Sequence, residues 1–147
     1  MMTHRKVRLF GYAVHKIGIG EFGIIYCGIT DQDAVDFLLQ AQHGEVSSAL
    51  EHSVLGKIDL IWGRETIGKK LGYGLAKIAQ KHPEALVSLA QQISSAKIIE
   101  ELPARRILIA ENNGQRSIID LQWFDKKKIW LVNSYIPLND QSPQNGG

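Results

Sequence analysis

The chain has 147 residues, a single cysteine and a formal net charge of +2 at neutral pH. That length suits one compact domain with a real hydrophobic core, and a lone Cys27 excludes an intramolecular disulfide and any CxxC zinc site. No apolar run approaches the roughly 20 residues that cross a bilayer, and MMTHRKVRLFGYAVH lacks the apolar stretch of a signal peptide. The expectation is a soluble protein of a reducing compartment: cytoplasmic, or delivered into the cytoplasm of a target cell.

KVRLFGYAV reads as a strand, HKIGIGEFG as a turn or loop because of its glycines, and IIYCGI as a short strand. TDQDAVDFLLQAQHG predicts a helix: Thr30 at the N-cap, Ala34, Phe37, Leu38 and Ala41 on one face, and Gly44 beyond the end. EVSSALEHSVLG reads as one or two helical turns and a loop, and KIDLIWG as a strand. RETIGKKLGYG, with three glycines and three basic residues, reads as a mobile basic loop. A helix pair follows from Leu75 to about Ala96, broken at His82-Pro83. RRILIAENNGQRSIIDLQWF predicts a hairpin turning at Asn113-Gly114, with Glu111 facing Arg116. Ile119, Leu121 and Trp123 should share a face of its second strand, and IWLVNSYIP adds a third. The predicted fold class is α+β: N-terminal helices packed on an antiparallel meander of three to four or more strands, in a single domain over 1–137, with a flexible polar tail over 138–147.

Charge is unevenly spread. Residues 1–56 carry 4 Lys/Arg against 6 Asp/Glu, and residues 57–135 carry 13 against 8. A basic second half suits a phosphate-binding surface, and it suits an unevenly charged solvated surface as well.

His82 follows Leu75, Ile78 and Ala79 on the apolar stripe of its helix, and Pro83 ends that helix. A histidine between two helix ends is either a capping or core group or an acid–base group poised near neutrality. Trp62 and Tyr73 flank the basic loop, as core residues or as platforms on which bases stack. Arg106 is placed to reach an open sheet face, Arg116 to pair with Glu111, and Lys126, Lys127 and Lys128 to be solvated. Asn133, Ser134 and Tyr135 interrupt an apolar strand, so they bond local backbone or line a cleft. Asp59, flanked by apolar residues, reads as hydrogen-bonded. No metal, nucleotide-loop or serine-hydrolase motif is present in the sequence.

EFGIIY, GKIDLIWG, GYGLAKIAQKHPEAL and IWLVNSY, in that order, resemble the barnase/colicin/RelE-like endoribonuclease domains of phage polyvalent proteins and bacterial toxins, over about Glu21 to Tyr135. The resemblance implies helices on an antiparallel sheet and metal-independent RNA cleavage without a cofactor, by attack of a ribose 2′-OH on the adjacent phosphorus. It implies His82 as the catalytic histidine and Lys77 and Arg106 on phosphate, and it matches His52 to a histidine of related domains. Beside the resemblance, the residues themselves suggest Ser134 or Asn133 to orient substrate, and Trp62, Tyr73, Tyr135, Lys69 and Lys70 join His52 as the expected substrate-binding set. The chain departs from the family pattern at Asn133, where a threonine is common, and at Lys57, where an acid is usual. The implied partners are RNA, transfer RNA among the candidates, and an immunity or antitoxin protein, with no membrane. The alternatives are a non-catalytic RNA- or protein-binding relative and a phage-encoded interaction domain.

Overall fold

The structure, a computed structural model, describes residues 5–138. Its strands are β1 (Arg5–Leu9), β2 (Tyr12–Gly20), β3 (Gly23–Cys27), β4 (Glu45–His52), β5 (Gly56–Ile61), β6 (Lys97–Leu102), β7 (Ile107–Asn112), β8 (Gln115–Trp123) and β9 (Lys126–Tyr135). Its helices are α1 (Asp31–Ala41), α2 (Gly74–Lys81) and α3 (Leu89–Ser94), with a 3-10 turn over Pro83–Leu86. The strands form one sheet in the order β1-β2-β3-β4-β5-β9-β8-β7-β6. Neighbours run antiparallel except β3 beside β4 and β5 beside β9.

This corrects the expected fold class. The helices do not come first, and they do not sit on a short antiparallel meander: three short helices cover one face of a nine-stranded mixed sheet. Two misread segments and one left unassigned account for the difference. The glycine-rich HKIGIGEFG is mostly strand, because Gly18 sits at a register shift where β2 bends against β3. EVSSALEH is β4. Its register shifts between Val46 and Leu50, and Ser48 takes φ 54°. That bulge lets Val46, Ala49 and Leu50 all be buried at i, i+3, i+4, the spacing of a helix face. Lys97–Leu102, read as lying beyond the helices, is the edge strand β6. KIDLIWG supplies β5, which does join the meander through β9, in parallel. The predicted hairpin is present in the predicted register, with Glu111 opposite Arg116 and Asn112 opposite Gln115. Apart from Leu138, the polar tail lies outside the described residues.

α1 starts after Thr30 as predicted, although the threonine side chain makes no capping bond. It ends two residues before Gly44, at Gln42, whose left-handed backbone donates its N–H to Leu38 O at 2.9 Å. Phe37 and Leu38 of α1, Leu75 and Ile78 of α2, and Leu89 and Ile93 of α3 are fully buried with Val46, Leu50, Ile58, Leu60, Ile119 and Leu131 of the sheet. Each such side chain contributes about 1.5–3 kcal/mol of burial, which is what drives the helices onto this face.

The other face of the sheet has its own aromatic cluster. Phe22, from the β2–β3 turn, lies 4.6 Å from the ring of Trp123 and 6.1 Å from that of Trp130, and Tyr73 is 5.8 Å from Trp130. Register irregularities in the β8–β9 pair decide who faces where. Ile119 pairs with Leu131 and Ser117 with Ser134, so Leu131 and Ser134 both stand on the face of Ile119 although they are three residues apart. A second shift between Asp120 and Gln122 carries Trp123 into contact with Trp130, away from the face of Ile119. The single face expected for Ile119, Leu121 and Trp123 is thereby corrected.

Candidate functional site

α2 is an amphipathic helix that buries Leu75, Ala76 and Ile78. His82 is its C-cap: the backbone N–H donates to Ile78 O at 2.7 Å, and the carbonyl accepts the N–H of Ala85 at 2.9 Å. Pro83 then opens the 3-10 turn, so the histidine stands at the joint between two helical segments that the sequence indicates. It is not sealed in the core, because 31 % of its side chain is exposed. Its ring lies 5.6 Å from that of Tyr135, at the end of β9, and Nδ1 lies 3.8 Å from the Glu84 carboxylate.

The basic segment between β5 and α2 is an ordered finger rather than the predicted mobile loop. Arg64 pairs with Tyr73 and Ile67 with Lys70 across a two-residue turn at Gly68-Lys69. The finger is fastened to α2 by Gln80, whose amide accepts the Thr66 N–H at 2.7 Å and donates to the Thr66 carbonyl at 3.0 Å. Thr66 Oγ1 also accepts the Gly72 N–H at 2.9 Å. Because Gln80 stands two residues before His82, the distal half of the finger lies beside the histidine end of α2. Lys69 and Lys70 are exposed on the finger, Lys81 is exposed on α2 and Lys77 is half-buried there. Among the described residues no carboxylate forms an ion pair with any of these four lysines. Four lysines outside any ion pair among the described residues thus belong to the finger and to the helix that His82 ends.

The remaining implied site residues lie elsewhere or face inward. Ser134 is fully buried: its hydroxyl accepts from Gln115 Nε2 at 2.9 Å, meets Ser117 Oγ at 3.0 Å and donates to Arg116 O at 3.2 Å. Asn133, also buried, accepts the Ser134 N–H at 2.9 Å. Gln115 donates in addition to Ala85 O at 2.9 Å, so this polar seam ties β8 and β9 to the turn just after His82. It holds the histidine's support and offers substrate nothing. Arg106 does not open β7; it takes a left-handed φ of 58° before the strand, and its carbonyl accepts the Leu121 N–H at 2.9 Å. It lines a groove with Lys127, Leu108 and Ile129. Leu121 stands five residues along β8 from Arg116, the partner of Tyr135, a separation of about 17 Å. Arg106 and His82 are not brought together.

His52 is buried within the fold. Its Nδ1 accepts the N–H groups of Val54 and Leu55 at 3.0 and 3.1 Å, which leaves the proton on Nε2 to donate to Ala96 O at 2.7 Å. It closes the β4–β5 turn and binds it to the end of α3. Trp62 and Tyr73 both line a recess of about 400 Å³ that also includes Glu21, Gln42 and His43. Lys128 is not solvated: its ammonium contacts Glu45 at 2.7 Å and Asp59 at 2.8 Å and lies over the Phe22 ring. Burial alone would lower its pKa, but the hydrogen bonds and charges of Asp59 and Glu45 outweigh it and hold the pKa above the ordinary lysine value. Asp59 accepts the Ser48 N–H at 2.8 Å besides, as its apolar flanks suggest.

Two residues at the His82 end were not singled out from the sequence as site residues. Glu84 reads there only as an acid at a helix start. Arg116 does pair with Glu111, at 3.5 Å, but it is also the cross-strand neighbour of Tyr135, a placement fixed by the β8–β9 register. Among the described residues no three His, Cys, Asp or Glu side chains converge as metal ligands, and no helix is long and apolar enough to cross a membrane. Comparison with protein-family models, with curated proteins and with solved structures gives no match for the chain.

Proposed function

We propose that the chain is an endoribonuclease that cleaves RNA without a metal, with His82 as its acid–base group. The observation that carries this is the partly exposed His82, set between Glu84 and Tyr135 at the end of a helix that, with its finger, carries four lysines outside any ion pair among the described residues. In the proposed step the 2′-O–H bond breaks and its proton passes to His82. The 2′-O–P bond forms as the P–O5′ bond breaks. The leaving oxygen takes a proton from Tyr135, which recovers one from His82. Glu84, 3.8 Å from Nδ1, orients the imidazole. Lys77, Lys81, Lys69 and Lys70 bind the backbone and offset charge growing on the phosphoryl oxygens. Ser134, Asn133 and Arg106 have no place in this step. The test is incubation of the purified chain with total RNA in EDTA, followed by analysis of the product ends. Fragments ending in 2′,3′-cyclic phosphate are the expected result, and undegraded RNA at high protein concentration overturns the reading.

A second reading, RNA binding without turnover, is favoured by the burial of Ser134 and Asn133, which leaves the last strand little to offer a substrate. Measured RNA binding with no turnover supports it; efficient turnover in EDTA eliminates it.

A further inference from the structure

The recess at the other end of α2 has the make-up of a nucleobase site, and we infer that it binds one base of an RNA strand whose backbone runs along α2 to His82. Trp62 lines the recess, is partly exposed and meets no other aromatic ring among the described residues. Tyr73 serves differently: Arg64 lies 5.3 Å over its ring, and Phe22 and Trp130 meet it from other sides, so it contributes an edge rather than a free stacking face. Stacking therefore belongs to Trp62. The mouth carries hydrogen-bonding groups of both kinds: the Glu21 carboxylate, the Gln42 amide and the His43 ring. Gln42 and His43 are exposed. Glu21 is half-exposed, with Lys126 at 3.7 Å, and the Tyr26 hydroxyl lies 3.4 Å from His43 Nε2.

The recess is preformed. Gly44 O accepts the Trp62 N–H at 3.0 Å, which joins the α1 corner to the indole wall. Gly44 and Gly63 have φ of 78° and 73°, and a Cβ on them would meet Ile24 O at 2.3 Å and Tyr73 O at 2.1 Å. Both corners are thus fixed by close backbone approach. A stacking wall with a few convergent polar groups at its rim is the form of a small-ligand site, and a base, flat with donors and acceptors along its edge, is the ligand that uses both. α2 has 8 residues, so the recess and His82 are about 12 Å apart along its axis, with Lys77 and Lys81 between. Phosphates on those lysines would connect the two.

This inference rests on the RNA reading above but is tested apart from it. The probes are the four nucleoside 5′-monophosphates, titrated into the full chain and into His82→Ala while the Trp62 indole and His43 ring signals are followed by NMR. Binding of at least one of them by both proteins, with shifts at Trp62 and His43, is expected. Trp62→Ala should weaken it about tenfold or more. Gln42→Ala and Glu21→Gln, which each remove or neutralise one exposed polar side chain, should change the order of preference among the four bases. The inference is overturned if none of the four binds, or if binding is indifferent to Trp62→Ala, Gln42→Ala and Glu21→Gln alike. Base binding without RNA cleavage in the wild type would leave the recess standing and remove the nuclease reading alone.

Discussion

Two buried polar residues show how far a residue's type reveals its role. His52 was matched to substrate binding through the family resemblance, yet it satisfies three backbone groups, Val54 N–H, Leu55 N–H and Ala96 O. The contact with Ala96 spans 44 residues of chain, so nothing near position 52 announces it. His52→Ala strands these groups without partners and should cost about 3 kcal/mol, read as a fall in the denaturation midpoint with RNA binding retained by the folded fraction. Lys128 was read as a solvated turn residue, and only the sheet order brings Glu45 and Asp59 to it. Its folded pKa lies above the unfolded value of roughly 10.4, so the unfolded chain gives up its proton first as pH rises. The stabilisation from Lys128 is therefore complete below about pH 10 and is lost as pH climbs through the folded pKa. Thermal unfolding between pH 8 and 11 should show this alkaline loss. Lys128→Met should remove it, and at neutral pH should destabilise by about 3 kcal/mol by leaving Glu45 buried beside Asp59 with no counter-charge.

At the scale of elements, the sequence was readable where local rules decide. The α1 start, the hairpin at Asn113-Gly114 and the His82-Pro83 joint follow from periodicity, turn chemistry and the restriction proline imposes. It was not readable where a bulge changes the period, as in β4 and at the β8–β9 shifts, or where a distant side chain orders a segment. The finger illustrates the latter. Its glycines suggested mobility, but the Gln80 amide, 14 residues from Thr66, holds both backbone groups of that residue. Gln80→Ala should release the finger while leaving α2 buried. Faster hydrogen exchange at Ile67 and Lys70 is expected, with RNA affinity weakened several-fold as Lys69 and Lys70 lose their fixed position. Unchanged exchange at those amides would contradict the clamp.

For the whole molecule, the error in fold class has one physical origin. Sheet membership is settled by pairings between distant segments, such as β3 with β4 and β5 with β9, and no local pattern encodes which strands will be neighbours. The candidate site was partly legible for a related reason. His82, Lys77, Lys69, Lys70 and Tyr73 all belong to one stretch around α2, so one helix and its finger collect them. Arg106 and Ser134 had to be delivered by the sheet, and the sheet puts one about 17 Å along β8 and the other in the core. What the fold does collect is one helix and its finger, with four lysines outside any ion pair among the described residues and a partly exposed histidine at the helix end. The most direct test is single-turnover cleavage of one defined RNA in EDTA by the wild type and by His82→Ala, with binding of the same RNA measured in parallel. The expected result is a rate at least 100-fold lower for His82→Ala with RNA affinity within a few-fold of wild type. Equal rates in the two proteins, or no cleavage by either, would contradict it.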